Sequence, residues 1–151
     1  MDFSPFTEDL IPALEQQGFK TIPLDPEDKN SPDIRNAFPF GRMMKTVGRE
    51  IHLLEIQIDK RNPKKYRINI GKAPATSINH PHTGQIEVKD LWVRHLPEYY
   101  EAYAWPFFRV WLNSDVEKLF PHLIKQTIDI LEHGKIGSFI RKVKAYNPPA
   151  P

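Results

Sequence analysis

The apolar residues of this chain change period twice, and that switch limits the folds open to it. Phe6, Leu10 and Leu14 recur at helical spacing, the apolar positions of 41–71 alternate, and Val116, Leu119, Phe120, Leu123, Thr127, Ile130 and Leu131 return to a helical stripe. Helix, then strands, then helix again predicts an α+β domain, with an antiparallel sheet covered by helices. An N-terminal helix is expected at about 10–17 with Gly18 at its end. Pro12 fits there only in the first turn or at a kink, because an interior proline lacks the N–H and clashes with the preceding turn. A sheet of about five strands is expected over 41–48, 50–59, 65–71, about 85–88 and 107–112.

Within those strands the two faces are legible. Tyr66, Ile68 and Ile70 share one side while Arg67 and Asn69 take the other. Leu54, Ile56 and Ile58 oppose Ile51 and Leu53, so 50–59 is apolar on both sides and reads as a central strand. A C-terminal helix should run over about 115–133 from the Asn113–Asp115 caps, kinked or split by Pro121, with a second short helix around 136–143. Ile56, Ile68, Val110 and Leu123 are the expected core.

The chain's 151 residues amount to one domain, 1–145, with a flexible proline-rich tail at 146–151. Hydrophobic residues at 40% and charged residues at 26% belong to a globular chain, not a disordered one. No apolar run reaches the ~20 residues that span a bilayer, and no secretory pattern opens the chain. A cytoplasmic protein without a membrane partner is the expectation. The lack of cysteine excludes thiolate nucleophiles and Cys-ligated zinc or iron–sulfur clusters. The 15 prolines gather in 21–40, 74–81 and the tail, so 21–40 reads as a long extended connection. Charge is polarised: 1–40 holds eight acidic and three basic side chains, and 41–72 holds nine basic and three acidic.

Chemical signatures are sparse. No GxxxxGK, GxGxxG, GxSxG or HExxH motif is present, so neither a catalytic residue nor a cofactor is assigned. His80 and His82 in INHPHTG are the most metal-like pair. His52, His95, His122 and His133 do not complete a ligand set at recognisable spacing, and no metal site is assigned. Asp25, Glu27, Asp28 and Asp33 form a proline-broken acidic loop that lacks the glycine and terminal glutamate of an EF-hand. Residues 92–111 carry eight of the 17 aromatics. Among them Tyr99, Tyr100 and Tyr103, on an expected short helix, and Trp105 are suited to a recognition surface.

Three features together look familiar: a helix ending in Gly18–Phe19, the run GRMMKTVGREIHLLEIQIDKRNPKKYRINIG, and a Trp-bearing strand leading into a terminal helix. This layout resembles the small bacterial proteins grouped as domain of unknown function 4304. The resemblance implies a single-domain cytosolic bacterial α+β protein with no active-site residues to carry over, and by fold-level analogy an immunity-type protein. The expected function is non-catalytic protein binding, with a basic toxin as partner and Asp25, Glu27, Asp28, Asp33, Tyr99, Tyr100 and Trp105 as the contact. The alternatives are a hydrolase assembled from His80, His82 and the acids of 25–33, or a single-stranded nucleic-acid binder using the basic strands. Nucleic acid is the less favoured partner, because the whole chain is far from strongly basic.

Overall fold

The computed structural model describes residues 3–59, 65–103 and 117–148. Its centre is an antiparallel sheet of β1 (Lys20–Ile22), β2 (Arg42–Val47), β3 (Glu50–Ile58), β4 (Tyr66–Pro74), β7 (Glu98–Tyr103) and β8 (Ile140–Lys144), in that spatial order. A separate hairpin of β5 (Ser77–His80) and β6 (Gly84–Glu87) lies between β4 and β7 in the chain. The α+β class is as expected, but the main sheet has six strands, and the segment expected at 85–88 pairs with β5 instead of joining it. The expected strand at 107–112, with Val110, lies outside the described residues.

One face of the sheet packs against helices. The chain is helical over Phe6–Leu10 as a wide π-type turn and continues as α1 (Ile11–Gln16). The wide turn, closed by the Ile11 N–H on the Phe6 carbonyl, sits just before Pro12 and interrupts the regular ladder where the proline has no N–H to give. At the other end, α4 (Phe120–His133) has Pro121 at its second position. Instead of splitting a longer helix, that proline marks its start, after a 3-10 turn at Glu117–Leu119. Gly134, at φ 66°, ends α4 by donating to the Ile130 carbonyl. Phe6, Leu10, Leu14, Phe120, Leu123, Ile130 and Leu131 interlock with Leu54, Ile56, Ile58, Tyr66, Ile68 and Ile70 to make the main core.

The opposite face is covered without a long helix. Ile51, Leu53 and Ala73 receive Leu91, Val93 and Leu96 from the strap that links the β5–β6 hairpin to β7. Gly71 allows this approach: a Cβ there would lie 2.2 Å from the Leu96 Cδ1. β3 and β4 are therefore buried on both sides, as the apolar residues on both faces of 50–59 require.

Three expectations change. The short helix expected at 136–143 is strand β8, because its backbone completes the free edge of β7, with Ile140 opposite Ala102. The tyrosines expected on a short helix lie on β7, where period two sends them to different faces. The connection 21–40 is ordered as β1 plus two short helices, α2 (Pro26–Lys29) and α3 (Pro32–Ala37). Each of those helices opens on a proline preceded by a capping residue type, Asp25 or Ser31.

Ile56, Ile68 and Leu123 are buried as expected. Ile68 is fully buried between α4 and the neighbouring strands, so Ile68→Ala should cost about 2–5 kcal/mol by urea denaturation. A loss below about half a kcal/mol would contradict this packing.

Candidate functional site

The acidic residues of 25–33 stand on a closed elbow formed by α2 and α3. Its ends meet at the sheet, where Ile22 pairs with Arg42 and Gly41, at φ 72°, lies against the Ile22 carbonyl; a Cβ on Gly41 would come within 2.2 Å of that oxygen. The Asp25 carboxylate accepts the Asp28 N–H at 2.7 Å and caps α2. Arg35 of α3 donates to the Lys29 carbonyl at 3.1 Å, which ties the two helices together. Leu24 and Phe38, at the two ends of the elbow, bury against Trp92 of the strap, with Ile34 and Ala37 packed alongside. Asp25, Glu27 and Asp33 are exposed and Asp28 is half-buried. Burial and the neighbouring Asp25 push the Asp28 carboxyl above its ordinary range, against the pull of Arg42 and Arg94.

The strap that holds the elbow is itself clamped to the sheet by charge. Arg42 is buried and donates to the carbonyls of Leu91 and Lys89, the latter at 2.9 Å. Its guanidinium lies 5.0 Å from the Trp92 ring centroid, and that of Arg94 lies 5.1 Å away. Below them the Glu55 carboxylate, 1% exposed, accepts the Val93 N–H and the Asn69 amide. Burial raises the Glu55 pKa, while these two hydrogen bonds, Arg94 and Arg42 oppose the rise.

Glu55 begins a polar ladder that sequence reasoning assigned no role. Cross-strand pairing sets Glu55 beside Asn69, Asn69 beside Glu101, and Glu101 beside Arg141. The next rung is Gln57, Arg67 and Tyr103. Asn69 also donates to Gln57 at 3.0 Å, and Arg67 joins the rungs through Gln57 at 3.0 Å and Glu101 at 2.6 Å. The only signal in the sequence is a polar residue at every second position of otherwise apolar strands.

The tyrosines do not form one surface. Tyr99 lies on the strap side of the sheet against the Leu91/Val93/Leu96 cluster, whereas Tyr100 lies on the helix side against the main core. Trp105 is outside the described residues. His80 does meet His82, with ring centroids 5.8 Å apart, and also His95 at 6.2 Å and Tyr146 at 5.0 Å. Both rings nearest the strap already use a nitrogen locally. His80 Nδ1 accepts the His82 and Thr83 N–H groups, and His95 Nδ1 accepts the Trp92 N–H at 3.0 Å. Among the described residues no group of three or more His, Asp or Glu is arranged to hold a metal ion.

Burial, followed by the charge of Arg94, holds the His95 imidazole down to about 4 from 6.5. Between those values the unfolded chain binds the proton and the fold does not, so falling pH weakens the fold through this residue. The stability of the parent relative to His95→Gln, from urea titrations at several pH values, should therefore decline as pH drops from about 6.5 to about 4. A pH-independent difference would show that His95 does not titrate between those limits.

No helix among the described residues is long and apolar enough to cross a membrane. Comparison of the chain with models of known protein families, with curated proteins and with solved structures finds no match.

Proposed function

We propose that this chain is a cytoplasmic protein-binding domain that acts by covering a basic surface of its partner, in the manner of an immunity protein occluding a toxin. The observation that carries this reading is the elbow: Asp25, Glu27 and Asp33 are exposed, with Asp28 half-buried beside them, on a loop that is pinched shut at Gly41 and anchored through Leu24, Phe38 and Trp92. A surface ordered before binding loses less entropy on association than a flexible loop does. Its sign suits a partner rich in Lys and Arg, as a protein acting on nucleic acid is. The resemblance to domain of unknown function 4304 proteins points the same way at the level of fold. Tyr99, on the strap side of the sheet, is the tyrosine that can extend such a contact, while Tyr100 is committed to the helix-side core.

The test begins with the protein encoded beside this one, mixed with the purified chain, and with association measured at several salt concentrations. Asp25→Asn, Glu27→Gln, Asp28→Asn and Asp33→Asn combined should slow association about tenfold at low salt and flatten its salt dependence. Asparagine keeps the cap of α2, so the fold should survive. Unchanged association by the quadruple variant would remove the elbow from the interface.

A further inference from the structure

A cavity of about 290 Å³ opens where β3 and β7 end and β4 begins. Among the described residues it is lined by Gln57, Ile58, Asp59, Lys65, Tyr66, Arg67 and Tyr103. The sheet end brings its two faces together here: Tyr66 belongs to the helix-side core, and Gln57, Arg67 and Tyr103 form the second rung of the polar ladder. Ile58 and Tyr66 are almost wholly buried, so the cavity opens mainly on Gln57, Arg67 and Tyr103.

Arg67 sets the chemistry. Its Nε donates to Gln57 Oε1 at 3.0 Å, and its Nη1 lies 2.6 Å from Glu101 Oε2, so the guanidinium is oriented before any ligand arrives. Glu101 is buried and Arg67 is one-third exposed at the cavity. Lys65 and Asp59 are adjacent, joined by the Asp59 N–H on the Lys65 carbonyl at 2.9 Å. A planar guanidinium matches a carboxylate in two parallel hydrogen bonds. The Tyr103 ring, partly exposed beside it, suits a flat apolar body. The volume lies just under the range of ~300–1,000 Å³ that holds drug-sized ligands.

We propose that this cavity binds a small aromatic carboxylate, whose carboxylate meets Arg67 and whose ring lies against Tyr103. Glu101 competes with the ligand for the same guanidinium, so it sets the affinity from behind the site. This site is separate from the acidic elbow and does not depend on its role.

Benzoate is the probe, with benzyl alcohol as its uncharged counterpart, and binding is followed by chemical-shift titration of the full chain. Benzoate should bind saturably and about tenfold or more tighter than benzyl alcohol, as a hydrogen-bonded charge requires. Glu101→Gln should tighten benzoate severalfold by releasing Arg67. Arg67→Met alone would leave buried Glu101 only the more distant Arg141, at 3.7 Å, and the Tyr103 hydroxyl, and can fail to fold. The double variant Arg67→Met/Glu101→Gln removes both charges and should melt near the parent while losing the preference for benzoate over benzyl alcohol. Three results would each overturn the proposal: no saturable benzoate binding by the parent, no gain with Glu101→Gln, or a preference for benzoate that survives in the folded double variant.

Discussion

The pairing of β3 with β4 is the constraint from which the other contacts follow. Nine cross-strand pairs run from Glu50 opposite Pro74 to Ile58 opposite Tyr66. Both strands are covered on their two faces, so each rung must serve two different layers. On one side Leu54, Ile56, Ile68 and Ile70 meet helices; on the other Leu53 and Ala73 meet the strap. A register slip of one residue would send the polar ladder into the helix-side core and its apolar partners outward. The hydrophobic difference between the faces therefore specifies the register more strongly than any single hydrogen bond does.

The two layers are built by different physics. α1 and α4 contribute apolar stripes that need no polar attachment, and their capping is local. The strap has little regular structure of its own, so its backbone groups need partners elsewhere. Arg42 serves the Leu91 and Lys89 carbonyls, and Glu55 serves the Val93 N–H. Burying these charges is costly, and the arrangement is tolerable because each is hydrogen-bonded and lies in the field of the other. In return the strap places Trp92 where Leu24 and Phe38 can dock, and the elbow inherits its order from the centre of the sheet. The displayed carboxylates are thus connected to Glu55 through one continuous set of contacts. The cavity at the far end of the ladder uses the same device, with Arg67 held in place by Glu101 and Gln57.

Much of this was legible in the chain by itself, for reasons that are local. Alternation over 50–59 and 65–71 and the stripe from Phe120 to Leu131 reflect periods two and 3.6, which hold whatever surrounds them. The central position of β3 followed from its apolar residues on both faces. Asp25-Pro26 and Ser31-Pro32 each place a capping residue before a first-turn proline, a signal the reading of 21–40 as an extended connection did not use. Read only as breakers, they concealed α2 and α3. What local pattern misassigned was β8: Ile140 and Val143 are spaced for a helix, but the open edge of β7 offered backbone hydrogen bonds to a strand. Tyr99 and Tyr100 are neighbours in sequence yet fall on opposite faces for the same reason.

The functional features divide along the same line. The sequence alone determined the α+β class, the polarised charge and the residue types available, because composition and period are properties of neighbours along the chain. Only the tertiary structure decided that Asp25 and Asp33 stand on one braced elbow, that His95 joins His80, and that Glu55, Asn69, Glu101 and Arg141 form a single rung. Those groupings depend on contacts between residues that are not neighbours along the chain. Strand order and register, which the packing of both faces selects together, set the ladder residues side by side.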